Sequence, residues 1–189
     1  MENALLICDS DKGIEYFRNF LTQNFGLKVT VVSGGEEARQ ILINRDFDLC
    51  FINCPLLSEF GEELAISIAE KNISQVIMAV KAEQMDEIAA KVEDFGIITV
   101  SKPISKALLW NALKLASVTQ NRMNMLRSEN SKLQQRLEDI KLINHAKNVL
   151  ISYLGISEDE AHKYIEKRAM DMRLQKRDIA KEVLSTYER

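Results

Sequence analysis

The chain has 189 residues, 46% of them hydrophobic and 28% charged, enough for one good core and a second small one. Two prolines and seven glycines exclude collagen-like and low-complexity character, and no apolar run approaches the roughly 18 residues of a membrane span. The formal charge of −3 hides an asymmetry: residues 1–117 hold 11 Lys and Arg against 17 Asp and Glu, or −6, whereas residues 118–189 hold 14 against 11, or +3. A mildly basic second half suits a polyanion, although a solvated helix surface carries similar charge.

Met1-Glu2-Asn3 lacks the basic start of a signal peptide and leads at once into an apolar run, so a cytoplasmic location with no membrane partner is expected. Short apolar runs follow at Ala4 to Cys8, Lys28 to Val32, Leu49 to Ile52, Val76 to Val80 and Ile97 to Val100. Between them lie stretches with helical spacing, such as Ile14, Phe17, Leu21 and Ala38, Ile41, Leu42. Near-continuous apolar strands separated by helices describe a doubly wound, five-stranded parallel sheet in an α/β domain, expected over residues 1–117. In such sheets the working crevice lies outside the carboxyl ends of the strands. Those ends are Cys8-Asp9-Ser10-Asp11, Asn53, Val80-Lys81 and Ser101-Lys102-Pro103.

Cys8, Cys50 and Cys54 form no CxxC motif and are expected as buried, reduced thiols. His145 and His162 have no neighbouring cysteine cluster, so neither a metal site nor a cofactor is expected. No constellation of nucleophile, base and orienting group is visible, and an enzyme is not expected.

Pro103 suits the start of a helix, and no helix breaker follows until Gly155. Within that run Met123, Leu126, Asn130, Leu133, Leu137, Ile140 and Asn144 alternate in steps of three and four, the a/d seam of a coiled coil. Asn130 and Asn144 occupy a positions, where buried amides fix register and favour two strands, so a parallel homodimer is expected. The alternative is a helix folded back so that the stripe joins an intramolecular core. Residues 118–136 read as the linker helix and 137–189 as a small all-α three-helix bundle. Gly155 ends the long helix, Ser157-Glu158-Asp159-Glu160 reads as an N-cap with a capping-box Glu, the second helix runs through Met170, and the third runs from about Gln175 to Tyr187.

Residues 3–117 resemble the receiver domain of bacterial response regulators. The acid cluster after the first strand, Gly61 eight residues after Asn53, and "SKP" at 101–103 carry the resemblance. Receivers hold Mg²⁺ with two adjacent acids, accept phosphate on an aspartate after the third strand, sense it with a hydroxyl after the fourth and pair it with a lysine. Asp9 and Lys102 match, with Asp11 a partial substitute, but the second acid falls on Ser10, the acceptor on Asn53 and the hydroxyl on Val80. A carboxamide has neither the charge nor the basicity to form an acyl phosphate, and serine is a poor replacement for a hard anionic ligand. The resemblance therefore implies a degenerate pocket, with Asn53, Asp9 and Lys102 expected in a locked, hydrogen-bonded arrangement or, as the alternative, in a pocket that binds a partner or an ion without covalent chemistry.

"INHAKNVLISYLGISEDEAHKYIEKRAMDMRLQKRDIAKEVL", residues 143–184, resembles the ANTAR domain of transcription antitermination regulators. The Ala146-Lys147 pair, the Gly155 turn with "SEDEA", Ala169-Met170 and Ala180 carry it; Asn148 falls where glycine is often found. This resemblance implies binding to hairpins in mRNA leaders, which keeps a terminator from forming. Lys147, Arg168, Arg173, Lys176 and Arg177 are the expected RNA contacts, while Lys163, Lys167 and Lys181 read as solvated helix faces. Tyr153 and Tyr164 are candidates for stacking on unpaired bases, although Tyr164 fits the bundle interior as well. Ala146, Ala161, Ala169 and Ala180 read as close-packing positions. The alternative function is a signalling adaptor, without RNA binding, that acts through protein contacts of the receiver and coiled coil; in the antiterminator reading the receiver is expected to be controlled by a regulatory protein partner or by oligomeric state.

Overall fold

The computed structural model describes residues 1–187. Five strands, β1 (Asn3–Ile7), β2 (Lys28–Val32), β3 (Leu49–Asn53), β4 (Gln75–Lys81) and β5 (Ile98–Lys102), form one sheet in the order β2-β1-β3-β4-β5, with every neighbouring pair parallel. Their connections carry the helices α1 (Asp11–Phe25), α2 (Gly35–Asn44), α3 (Glu62–Glu70) and α4 (Met85–Val92). The long α5 (Lys106–Leu154) follows β5, and α6 (Glu158–Met172) and α7 (Lys176–Tyr187) complete the described chain.

Strand side chains alternate between two buried faces. Leu5, Ile7, Cys50, Ile52, Met78 and Val80 pack with Ala38, Leu64, Ile68 and Ile88 of α2, α3 and α4. Leu6, Cys8, Leu49, Phe51, Ile77 and Ala79 pack with Phe17, Leu21, Leu109 and Leu113 of α1 and α5. Both faces are covered by helices, which explains why the strands read as continuous apolar runs.

The helix ends have local causes. Ser10 caps α1 by accepting the Gly13 N–H at 3.2 Å, and Gly26 ends that helix at φ +64°. Gly61 opens α3 at φ +111° with space for a Cβ only 3.3 Å from Ile52, so this position needs both the left-handed backbone and the missing side chain. The start of α5 corrects the expectation at Pro103: the helix begins at Lys106, because the Ser105 hydroxyl accepts the Leu108 N–H at 3.1 Å and caps it three residues later. Within its first third, the buried Gln120 donates to the Ile73 carbonyl at 2.7 Å.

The chain packs as two units, Met1–Asn124 and Met125–Arg189, divided within α5; residues 188–189, which the expected bundle of 137–189 includes, lie outside the described residues. In the second unit the end of α5 supplies the first helix of the bundle, and α6 and α7 supply the others. Ala146, Leu150, Ala161, Ile165, Ala169, Ile179, Ala180 and Val183 form its core. Ser157 and Glu160 make the expected capping box in both directions. The second helix extends two residues beyond Met170, because the stop is supplied by Arg173 in a left-handed conformation at φ +54°. Six of the seven seam side chains are uncovered: Leu126, Leu133, Leu137 and Ile140 are 52–61% exposed, and Asn130 and Asn144 are exposed too, whereas Met123 is half-buried. No helix among the described residues is long and apolar enough to cross a membrane.

Candidate functional site

At the carboxyl end of the sheet, strand order decides which residues meet. β1 lies beside β3 with Ile7 opposite Ile52, so the next residues along, Cys8 and Asn53, become neighbours. The Asn53 Nδ2 group donates to Cys8 Sγ at 3.3 Å. Lys102, at the end of β5, donates from Nζ to Asn53 Oδ1 at 2.8 Å and also to the Cys54 carbonyl. Burial lowers the Lys102 pKa below the ordinary lysine value, against the opposing pull of Cys54, Cys8 and Asp9. Burial also pushes the Cys54 thiol up to about 12, and Cys8, Cys50 and Cys54 are all free and buried.

The amide at 53 is thus used on both sides: its oxygen takes the lysine and its nitrogen addresses a sulfur. Sequence reasoning expected Asp9 in this arrangement and missed Cys8. Asp9 is exposed and acts on Lys102 only through space. Ser10 Oγ is occupied as the α1 cap, Asp11 is exposed in the first turn, and Val80 is wholly buried in the core. An open depression of about 410 Å³ lies over these groups, lined by Ser10, Lys12, Gly13, Tyr16, Phe17, Asn53, Lys102, Pro103 and Ile104. A magnesium ion does not fit this donor set. The two carboxylates nearby, Asp9 and Asp11, are exposed and separated by Ser10, which serves as a helix cap, and the Asn53 amide oxygen already accepts from an ammonium.

In the C-terminal unit four of the five candidate RNA contacts are ion-paired within the unit. Lys147 meets Glu158 at 2.9 Å, Arg177 meets Asp139 at 3.2 Å, Lys176 meets Glu166, and Arg168 bonds Glu182 at 2.6 Å and the Tyr164 hydroxyl at 3.0 Å. These contacts hold the Glu158 and Glu166 carboxyls below the usual range, chiefly through the lysine hydrogen bonds, and raise the Arg168 pKa through Glu182. Arg168 therefore ties α6 to α7, with its Nε buried and unpartnered among the described residues. Arg173 differs from the other four: it is exposed, and no ion pair engages it among the described residues. Tyr153 is 69% exposed with its ring 5.4 Å from that of Tyr187, whereas Tyr164 packs against the bundle core. Lys163, Lys167 and Lys181 are exposed, and the four alanines are buried.

Comparison with known proteins assigns both units. Residues 4–114 match the response regulator receiver domain, and residues 131–184 match the ANTAR domain. Among solved structures, the fold of the sheet domain is shared with three receivers. One is the signal receiver domain of an HD domain-containing protein from Pseudomonas fluorescens Pf-5 (TM-score 0.59, 20% identity, 66% of this chain and 92% of that one). Another is the receiver of a putative Luxo repressor protein from Vibrio parahaemolyticus (0.58, 20%, 66% and 96%). The third is a two-component response regulator from Clostridium difficile (0.57, 18%, 64% and 99%). The fold and the sequence match define a receiver-type response regulator. The transcriptional regulatory protein PdtaR of Mycobacterium tuberculosis is 30% identical over 153 residues, spanning 80% of this chain and 74% of that protein. The chain belongs to the ANTAR response regulators, a receiver joined to an ANTAR domain.

Proposed function

We propose that this protein is an RNA-binding transcription antitermination regulator that recognises hairpins in mRNA leaders, pairs as a homodimer through the α5 seam, and is not phosphorylated at Asn53. The observation that carries this reading is the ANTAR match laid over a folded bundle whose core positions are apolar and whose surface holds Lys147, Arg168, Arg173, Lys176 and Arg177. Exposed ion pairs contribute about 0–1 kcal/mol each. An RNA phosphate therefore displaces Glu158, Glu166 or Asp139 from its cation at small cost, and counterion release supplies a driving force that falls with salt. Since the Asn53 amide bonds Lys102 and Cys8, control enters by a partner protein at the receiver instead of by a phosphoryl group.

The test is titration of the purified chain against labelled two-hairpin leader RNAs and matched duplex DNA over a salt series. Preferential, salt-dependent RNA binding is expected without any phosphodonor, and Arg173→Glu with Arg177→Glu weakens it while helicity is retained. A second reading, a signalling adaptor, draws on the pairing of four of the five cations with carboxylates of their own unit. Absence of binding to every RNA, at low salt and with folded protein, decides for the adaptor.

A further inference from the structure

Gln75, at the start of β4, and Gln120, in α5, are only 7% and 4% exposed, and both line the same cavity of the receiver. That cavity, about 260 Å³, lies at the amino-terminal edge of the sheet, opposite the Asn53 pocket, among the turn before β4, the turn after α4 and the stretch of α5 that reaches Met123. Each amide spends its nitrogen on a backbone carbonyl: Gln75 Nε2 donates to Gly96 at 2.8 Å, and Gln120 Nε2 donates to Ile73 at 2.7 Å. Their oxygens accept no hydrogen bond among the described residues and neither is sealed from solvent, so both open onto the cavity. A buried amide ordinarily has its oxygen satisfied as well.

The rest of the lining decides what those oxygens can receive. Asp94 brings a carboxylate that no ion pair engages among the described residues, and neither lysine nor arginine lines the cavity. Two amide oxygens and a carboxylate repel an anion and accept N–H donors, most strongly from a cation. Val76, Phe95 and Met123 supply apolar wall. Sites for drug-sized ligands run from about 300 Å³ upward, so this volume excludes a nucleotide and fits a short alkyl chain that ends in an ammonium group.

We propose that the receiver holds a binding site for a small organic ammonium, whose N–H groups are shared by Gln75, Gln120 and Asp94 and whose alkyl part lies against Val76, Phe95 and Met123. The bound cation bridges three segments: β4 at Gln75, the turn after α4 at Asp94 and α5 at Gln120. It therefore opposes any local opening that separates this part of α5 from the sheet edge, by about tenfold when the amine stands at about ten times its Kd. Neither the binding nor the bridge depends on RNA recognition, and both are tested without RNA.

Calorimetric titration of the full chain with n-butylammonium, at constant ionic strength, tests the site. Saturable binding with a Kd of about 1 mM is expected for an amine this small. Tetramethylammonium keeps the charge without an N–H, and 1-butanol lacks the charge; each is expected to bind more weakly by about tenfold. Asp94→Asn, at an exposed position, weakens the amine about fivefold. Thr119→Phe fills the cavity from α5 and abolishes binding, and circular dichroism confirms that both variants are folded. In NMR spectra the side-chain amide resonances of Gln75 and Gln120 move on binding, and hydrogen exchange of the backbone amides around Gln120 slows about tenfold at about ten times Kd. Absence of saturable binding, equal binding of tetramethylammonium, or binding that survives Thr119→Phe would overturn the site. Unchanged affinity in Asp94→Asn would overturn the choice of a cation, and binding that leaves exchange around Gln120 unchanged would overturn the bridge.

Discussion

Replacing Arg173 by glycine separates what this residue does for the fold from what it does for RNA. Arg173 ends α6 at φ +54° and ψ +37°, and its N–H serves the carbonyls of Ala169 and Met170. Helices that end in this left-handed conformation usually place glycine there, because a Cβ crowds the neighbouring carbonyl. The strain for a non-glycine residue is about 1–2 kcal/mol; glycine removes it but loses about 0.5–1 kcal/mol to the greater freedom of its unfolded chain. The side chain makes no ion pair among the described residues that would offset the strain. Arg173→Gly is therefore expected to stabilise the C-terminal unit by about 0.5–1 kcal/mol. Hydrogen exchange of the buried amides around Ala161, Ala169 and Ala180 reads this directly for the bundle.

The same change removes one cation from the proposed RNA face. Affinity for hairpin RNA is expected to fall, with the slope of log affinity against log salt becoming shallower by about one unit. A variant both more stable and a poorer RNA binder means that the strained arginine is kept for contact with the ligand. The decisive result is a loss of stability. It would show that the Arg173 side chain supports the turn and refute the strain argument, and unchanged RNA affinity would remove Arg173 from the interface.

Three further outcomes follow from the geometry. Gly13→Ala would ordinarily stabilise a helix by about 1 kcal/mol, but here the new methyl would stand 2.6 Å from Ser10 Oγ and 2.8 Å from Cys8 Sγ. A net loss of about 1–3 kcal/mol is expected instead, followed by denaturant unfolding of the receiver with Trp110, the single tryptophan, as the fluorescent probe; a gain would mean that the pocket is looser than its distances indicate. Glu158, Glu160 and Glu166 have pKa values lowered in the fold, Glu160 through the Ser157 backbone N–H first. Their contribution is present above the unfolded carboxyl value and is lost as pH falls through the folded values, so the bundle is expected to weaken on that acid side, and Glu160→Gln to flatten the limb in a pH series of hydrogen exchange. Acyl phosphate donors with Mg²⁺ should leave the intact mass unchanged; one phosphoryl adduct mapped to Asn53 or Asp9 by mass spectrometry would contradict the loss of acceptor chemistry.

The parts of this molecule that were legible in its sequence are those set by local pattern. Apolar runs between helical stretches gave the parallel sheet, and Ser157 with Glu160 gave the start of α6, because strand burial and capping depend on residues a few positions apart. The start of α5 was misplaced because proline and serine both favour helix starts, and the Ser105 hydroxyl bond decides between them. Cys8 was overlooked as the partner of Asn53 because the two are 45 residues apart. Strand order was the signal that could have found it: once β1 is placed beside β3, the residues following Ile7 and Ile52 must meet. The Arg39–Glu59 pair, with bonds of 2.7 and 2.8 Å between α2 and the loop before α3, had no comparable signal, since many surface carboxylates could have served. The left-handed backbone at Arg173 was hidden for the opposite reason, because arginine is not the residue type that marks such a turn.

The pocket at Asn53 also bears on where a signal can enter. In a receiver that accepts phosphate, the lysine answers a charge that appears and disappears. Here Lys102 is engaged by neutral oxygens of Asn53 and Cys54, and burial disfavours its charge. Nothing in that set changes charge when a phosphodonor is present, so the set has no differential interaction with which to move the fold between two states. A controlling ligand must supply that difference elsewhere, by contacts it makes with one state and not the other. For the proposed regulator this leaves the outer surface of the receiver and the exposed seam of α5. Of these, the seam presents Leu126, Leu133, Leu137 and Ile140 uncovered, whereas the receiver surface is where the proposed function places a partner protein.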